Sequence, residues 1–587
     1  MALRLCASFA ICSFEKMHLR SSSYFPVGSA SPVRYGTVSP RISSQHIVRR
    51  SANYQPSIWD YDYVQSLRSE FLGEVHTKRI NKLKEEVSKM VINSQEMTKP
   101  IDQVELIDTL QRLGLGYHFQ DEIKTTLVSI FHGSSEMEED LHATALQFRL
   151  LRQHGFHVPQ EIFNRFKDQQ GNFKASLCEN LEGILSLYEA SYLCEEGESV
   201  LEDARKFSAE RLNEYVEQNK DSHSYLSVLI SHALELPLHW GVPRLEARWF
   251  IHVYERKQAM NPLLLELAKL DFNHVQALHQ QDLKYVSWWW NSIRLGKKLS
   301  FARNRLMQNF LWTLGIQFEP EYGYGRRMST KVNSLITIID DIYDVYGTLD
   351  ELQHFTDAVE RWDVNAIEPL PDYMKITFLA LYNSINEMGF DALREQGFNI
   401  IPHLKKSWAE LCKSYLLEAK WYCSGYMPTL QEYIDRAWLS ISAPLILLHY
   451  YVFVENPITD EALECLNQYP DIIRYSSIIL RLANDLGTSS DELKRGDIPK
   501  SIQCYMKGTG ASEEEARKHI RNLIREAWMK INEYRVGNDH LSETFVGIAV
   551  NLARMAQCTY QHGDGHAVED STTKDRMLSL LVHPIPL

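Results

Sequence analysis

The chain has 587 residues, 44% hydrophobic and 24% charged, with 62 basic against 76 acidic side chains and a formal charge of -14. This composition excludes a disordered or collagen-like chain. It also disfavours a general nucleic-acid binder, because a negative surface repels a phosphate backbone. So long a chain exceeds one hydrophobic core; two or three domains are expected, with two favoured.

Residues 1–48 hold ten Ser, five Lys or Arg and a single acid, Glu15. A Ser-rich, Arg-containing, acid-poor leader suits organelle import, and the abundance of Ser favours the chloroplast. The body starts at Arg49. From there VELIDTLQRLGLGYHF, ATALQFRLLRQHGF, KSYLLEAKWY and VGIAVNLARMAQ place apolar residues three and four apart, the helical period. Strand-like alternation with Asn-Gly turns is missing, so an all-α protein of two helical domains is expected. The longest apolar stretch, ISAPLILLHYYVFV at 441–454, is broken by Ser442, Pro444 and His449. It falls short of the roughly 20 residues of a membrane span and reads as a core helix. Cys178, Cys194, Cys412, Cys423, Cys465, Cys504 and Cys558 are scattered, with no CxxC pair. They read as reduced thiols rather than a disulfide frame or zinc site.

Two polar clusters carry chemistry. TIIDDIYDVYG presents Asp340, Asp341 and Asp344 directly after the apolar Leu335, Ile336, Ile338 and Ile339. On an α-helix Asp340 and Asp344 lie about 40° apart, on one face. Carboxylates continuing a buried helix need cations, and oxygen ligands without His or Cys suit Mg²⁺ or Mn²⁺. The pattern alone is weak: acids fill 76 of 587 positions, so it arises by chance roughly once in such a chain. In RLANDLGTSSDELKRGD, Asn484, Thr488 and Glu492 recur every fourth residue, within about 80° of arc and about 12 Å of rise. An amide, a hydroxyl and a carboxylate form a plausible hard-cation site; the plain alternative is a capped helix end. Two such walls suggest a phosphate or diphosphate substrate completing the ion shells. Arg303, Arg305, Arg481 and Lys500 are the candidate basic partners.

DDIYD, NDLGTSSDE and RRSANYQPSIW resemble the plant class I terpene synthases of the angiosperm monoterpene type. LEARWFI at 245–251, YGYGRRMSTKVN at 322–333 and QHGDGH at 561–566 agree, so the resemblance spans residues 49–587. It implies a helical, α-barrel-like N-terminal domain over 49–270 and a catalytic, metal-binding helical bundle over 271–587. No DxDD motif is present. By the resemblance, Asp340 and Asp344 would ligate metal with Asp341 in support, and Asn484, Thr488 and Glu492 would hold a further ion, about three in all. Arg303, Arg305 and Arg481 would take the departing diphosphate. Arg49 and Arg50 would close the pocket and assist isomerisation of the geranyl cation. Trp312, Tyr343 and Tyr560 would wall the pocket, Asn333 would face inward, and Asp564 and His566 would lie on a loop over its mouth.

The reaction so implied is ionisation of geranyl diphosphate to a C10 product: α-terpineol, limonene or cineole through an α-terpinyl cation, with linalool or myrcene as acyclic exits. A sesquiterpene synthase, a chain-elongating prenyltransferase and a non-enzymatic scaffold are the alternatives. No nucleic-acid partner, no stable membrane insertion, a monomer or weak homodimer, and a soluble stromal location complete the expectation. Four positions depart from the family pattern: Asn304 where an Asp is usual, Gln308 where a Glu is, Ala443 where a Gly is, and Trp288 where an Arg is.

Overall fold

The computed structural model describes residues 49–94, 100–133, 140–495, 499–537, 541–568 and 570–587, with 490–495 by backbone alone. The leader over 1–48 and the side chain of Glu492 therefore lie outside the described residues.

The all-α expectation holds. Among the described residues there is no strand, only an isolated bridge between Lys167 and Phe173. Helix starts follow their caps. Asp140 accepts the Ala143 N–H at 2.8 Å and opens α1 (Leu141–Gln153). Asn180 accepts that of Gly183 at 2.8 Å and opens α2 (Leu181–Ser191). A side-chain acceptor here satisfies an N–H that the first helical turn leaves bare. α3 (Pro243–Tyr254) carries the LEARWFI segment, and its charges are structural. Buried Glu246 takes Arg112 at 2.9 Å and His232 at 2.7 Å. Buried Arg244 donates to the Phe272 carbonyl at 2.7 Å and lies 3.8 Å over the Phe272 ring.

Phe272 belongs to α4 (Pro262–Ile293), a 32-residue helix capped by Asn261. At 1.5 Å per residue it is about 48 Å long. It runs unbroken through residue 270, and residues Arg49–Leu587 form one compact unit.

Five later helices close a ring: α5 (Leu306–Ile316), α6 (Gly323–Asp341), α7 (Ala443–Val454), α8 (Asp471–Arg495) and α9 (Glu543–Tyr560). Each packs on the next, and α9 packs back on α5. α6 is buried along nearly its whole length, so its polar residues need partners. Arg326 meets Asp282 of α4 at 2.9 Å, and Lys331 reaches Glu387 at 3.0 Å. The apolar 441–454 stretch is a core helix as expected: the apolar 18-residue window within Leu430–Val454 is 78% buried within the protein. Two further helices flank the ring, Ile401–Ser424 and Leu430–Ser440. Between the second of these and α7 the chain turns through Ser442 at φ 67°. That left-handed conformation costs a non-glycine residue about 1 kcal/mol or more.

Candidate active site

α6 ends at Asp341 and runs on into a wider, i to i+5 turn over Ile342–Tyr346, closed by Gly347 N–H to the Ile342 carbonyl at 2.8 Å. Such turns recur at functional sites. A turn of this kind winds through less angle per residue than an α-helix. Asp344 therefore lags the offset expected of a regular helix and falls back toward the line of Asp340. The Asp340 side chain is 28% exposed, whereas Asp341 is completely buried. Burial pushes the Asp341 carboxyl up to about 6, against the pull of Arg303. Arg303 gives Asp341 its main-chain N–H at 2.6 Å and brings Nε within 2.8 Å of the other carboxylate oxygen. Its guanidinium also bonds Asp340. The Tyr54 hydroxyl acts to lower the Asp341 pKa as well, and Arg303 stands 5.1 Å over the Tyr54 ring.

The second bank stands on α8. The Thr488 hydroxyl donates to the main-chain carbonyl of Asn484 at 2.9 Å. Arg481 donates to the Asn484 amide oxygen at 3.2 Å, to Asp485 at 3.4 Å, to the Ala437 carbonyl at 3.2 Å and to Ser440 Oγ at 3.3 Å. Asp485 is fully buried and also accepts from the Tyr433 hydroxyl at 3.0 Å and the Ser501 N–H at 3.1 Å. Ser440 in turn donates to buried Glu418. Lys500 is buried at the head of the Ser501–Thr509 helix. A side chain could not replace Gly487, because a Cβ there would meet the Gly563 carbonyl at 2.8 Å and Tyr560 Cβ at 3.1 Å. The loop after α9 therefore lies directly on α8.

Two tyrosines connect the banks. Burial first, then Asp340 and Asp344, hold the Tyr415 hydroxyl well above its usual pKa, and Arg481 opposes them. Burial and Asp564 do the same to Tyr560, opposed by a hydrogen bond with Asn484 and by Arg303 and Arg481. Both hydroxyls thus sense the aspartate bank or its arginine together with α8. Trp312 of α5 lies 6.2 Å from the Tyr560 ring, with its indole N–H buried and unpartnered. Asn333 of α6 likewise has its amide oxygen buried without a partner. The Tyr343 ring packs 5.5 Å from that of Tyr415, and its hydroxyl shares a hydrogen bond of 2.7 Å with Thr356.

The mouth is covered from both ends of the chain. Arg49 forks onto Glu351 at 2.7 and 2.8 Å and donates to the Tyr346 carbonyl at 3.0 Å. Arg50 donates to the Asp344 carbonyl at 3.1 Å and lies 4.4 Å over the Tyr422 ring. Arg305 is 2% exposed. It grips main-chain carbonyls, Gln55 at 3.1 Å and Ala567 at 2.8 Å, tying the N-terminal strap to the loop after α9. Asp564 caps that loop through the Ala567 N–H at 2.8 Å. Half-buried His566 has its pKa lowered to about 3 by desolvation, then by Arg303 and Arg305. Neutral, it shares a hydrogen bond of 3.0 Å with Asn309 of α5. Of the departures, Asn304 accepts the Trp290 indole N–H at 2.9 Å, and Trp288 is exposed.

The sequence reading missed Tyr54, Asn309, Glu351, Tyr415 and Asp485. Tyr54 stands four residues after Arg50, and Asp485 adjoins Asn484. Glu351 completes a capping box with Thr348 at the head of the Leu349–Arg361 helix, which is readable as such. Tyr415 carries no local signal.

With this geometry in place, the comparisons agree. Residues 291–530 match the family model described as "Terpene synthase family, metal binding domain", and residues 58–234 match "Terpene synthase, N-terminal domain". Terpene synthase 10 of Ricinus communis is 66% identical, over 93% of this chain and 100% of that protein. A (-)-alpha-terpineol synthase of Vitis vinifera is 64% identical, over 92% and 91%. A chloroplastic myrcene synthase of Quercus ilex is 57% identical over the full length of both. A limonene synthase solved with 2-fluorolinalyl diphosphate superposes with a TM-score of 0.89 at 45% identity, covering 92% of this chain and 100% of that one. An isoprene synthase from grey poplar leaves, solved with three Mg²⁺ ions and dimethylallyl-S-thiolodiphosphate, gives 0.83 at 47%, covering 90% and 99%. The chain belongs to the terpene synthase family, lyases that act on prenyl diphosphates with a divalent metal.

The residues fit such a metal. Asp340, Asp344, Asn484 and Thr488 supply oxygen donors only, and Asp340 keeps part of its carboxylate open. Among the described residues no three His, Cys, Asp or Glu side chains make a ready cage. An open oxygen set is what magnesium-sized ions complete with water and phosphate oxygens.

Proposed function

We propose that this protein is a monoterpene synthase that ionises geranyl diphosphate and folds the resulting cation into a C10 product derived from the α-terpinyl cation. The observation that carries the reading is the pair of polar banks: part-exposed Asp340 and buried Asp341 converge on Arg303 at the end of α6, and Arg481 of α8 holds the Asn484 amide oxygen at 3.2 Å. Asp340 and Asp344 on one bank and Asn484, Thr488 and Glu492 on the other hold the ions, with Mg²⁺ or Mn²⁺ serving. The metal supplies Lewis-acid neutralisation of the leaving diphosphate. Arg303 and Arg481 add fixed positive charge where the C–O bond breaks, and fixed charge in a dry site is worth more than in water. Asp341 acts behind them, because it is buried and holds Arg303 in place. Lys500 is assigned the outer phosphate oxygens.

Closure keeps water from the cation. Arg49 and Arg50 pull the strap onto the Asp344–Tyr346 carbonyls, and Arg305 seals strap to loop. Trp312 and Tyr560 offer π faces to the cation, with Asn333 the polar point among them. His566, neutral and bonded to Asn309, locks the loop rather than acting as a strong base. The similarity to an α-terpineol synthase favours a cyclic product.

Residues 49–270 are assigned a supporting role, and 271–587 the chemistry. The Ser-rich leader and the chloroplastic name of the oak relative support the plastid, and the soluble stroma is the compartment proposed within it. The buried apolar window accords with a chain that is not inserted in a membrane, and a monomer or weak homodimer is the proposed state. The test is gas chromatography of products from the chain starting at Arg49, supplied with geranyl diphosphate and Mg²⁺. C10 products are expected; release of C15 diphosphate on adding isopentenyl diphosphate sinks the proposal.

A further inference from the structure

Away from the active site, α2, the Ser199–Gln218 helix and the Glu513–Gly537 helix enclose a crevice of about 20 Å³. Its walls include Trp240, Trp528, Arg525, Arg205, Glu202 and Tyr192. The two indoles stack at 5.7 Å and 17°, and the Tyr192 ring meets Trp240 edge-on at 4.9 Å. Asn532 fixes the wall from behind, donating to the Tyr192 and Cys194 carbonyls at 3.0 and 2.9 Å. Yet Trp240 Nε1, Trp528 Nε1 and Arg525 Nε are all buried with no hydrogen-bond partner, and Trp528 is 1% exposed. Three orphan donors on the walls of one crevice call for an acceptor, since buried N–H groups are otherwise almost always paired.

We propose that the crevice is a halide site, occupied by one chloride ion. A single water has two lone pairs and two protons of its own to place; it cannot satisfy three donors. A monatomic anion accepts from all of them. The charges agree in sign: two guanidinium groups, Arg205 and Arg525, stand against one carboxylate, Glu202. The volume agrees in size, since one water-sized sphere needs roughly 10–15 Å³, which excludes sulfate or phosphate. The ion joins Trp240 and Arg205 to Trp528 and Arg525, segments some 300 residues apart in sequence. Its role is to fasten the N-terminal helices to the catalytic half.

The test uses the full chain. Crystals grown in sodium bromide should show an anomalous peak between Trp240, Trp528 and Arg525. In solution, Tm should rise saturably with bromide or chloride and not with methanesulfonate at equal ionic strength. Trp528→Phe removes one donor and part of the indole ring, and should raise the half-saturating bromide concentration roughly fivefold or more. Should that variant fail to fold, Trp240→Phe removes the neighbouring donor and should act alike. An empty crevice, a water that bromide does not displace, a peak in crystals without a halide-specific Tm shift, or an unchanged bromide response in the folded variants each overturns the site.

Discussion

Arg49 holds Glu351 by both carboxylate oxygens, at 2.7 and 2.8 Å, while its guanidinium stands 4.6 Å from the centre of the Tyr346 ring. One arginine at the start of the body is thus bonded to the helix cap that follows the aspartate turn. Forked, charge-assisted pairs of this kind are about twice as strong as neutral ones.

Glu351→Gln should loosen this strap without touching a proposed ligand. Turnover of geranyl diphosphate is expected to fall roughly tenfold, the effect of about 1.4 kcal/mol, with more acyclic product. The wild-type bond has a pH signature. Its Arg49 and Thr348 partners, working against burial, lower Glu351 from 4.5 to about 2. A depressed carboxylate contributes stability in full above its unfolded pKa and loses it as pH falls through the folded one. Protease cutting near residues 49–60 should therefore rise between about pH 4.5 and 2. Cutting unchanged by Glu351→Gln at neutral pH counts against the strap.

Asp344→Ala and Asp341→Ala should fail differently. The first removes a proposed ligand from the rim, so kcat is expected to fall by about 10²–10³ or more at near-normal Tm. The second strands Arg303 beside an empty place in a buried site, which costs about 3–5 kcal/mol. Thermal unfolding separates them: a similar Tm for both variants contradicts the supporting role of Asp341.

Asp485→Asn keeps shape but takes the charge from behind Arg481. Weaker positioning of that arginine should raise the inhibition constant for inorganic pyrophosphate by roughly tenfold, the loss of one charged hydrogen bond. Equal inhibition of variant and parent removes Asp485 from the account.

Arg305→Met should leave the two banks in place and unfasten the strap from the loop. Water then reaches the cation, and the ratio of alcohol to hydrocarbon products should climb. An unchanged ratio means the seal at Gln55 and Ala567 does not govern solvent entry.

Much of this was legible in the chain. The three-and-four spacing foretold an all-α body, and the oxygen-bearing residues of α8 sit on a helix as their fourfold spacing required. The turn after Asp341 was not legible, because DDIYD reads as a regular helix and the extra residue per turn is imposed by tertiary packing. The strap contacts of Arg305 were hidden for a similar reason. Sequence marks the residue as basic near Asp-rich chemistry, and its described bonds to main-chain carbonyls leave no trace in residue type. Tyr415 and Asn309 act through distant neighbours, and no local spacing announces a long-range contact.

The strap has a practical corollary for anyone shortening this protein. A cut placed after Gln55 would spare nearly every packed helix, so the product would look sound by circular dichroism and melting. It would nevertheless be leaky, because Arg49, Arg50, Tyr54 and the carbonyl that Arg305 grips would all have gone with the discarded piece.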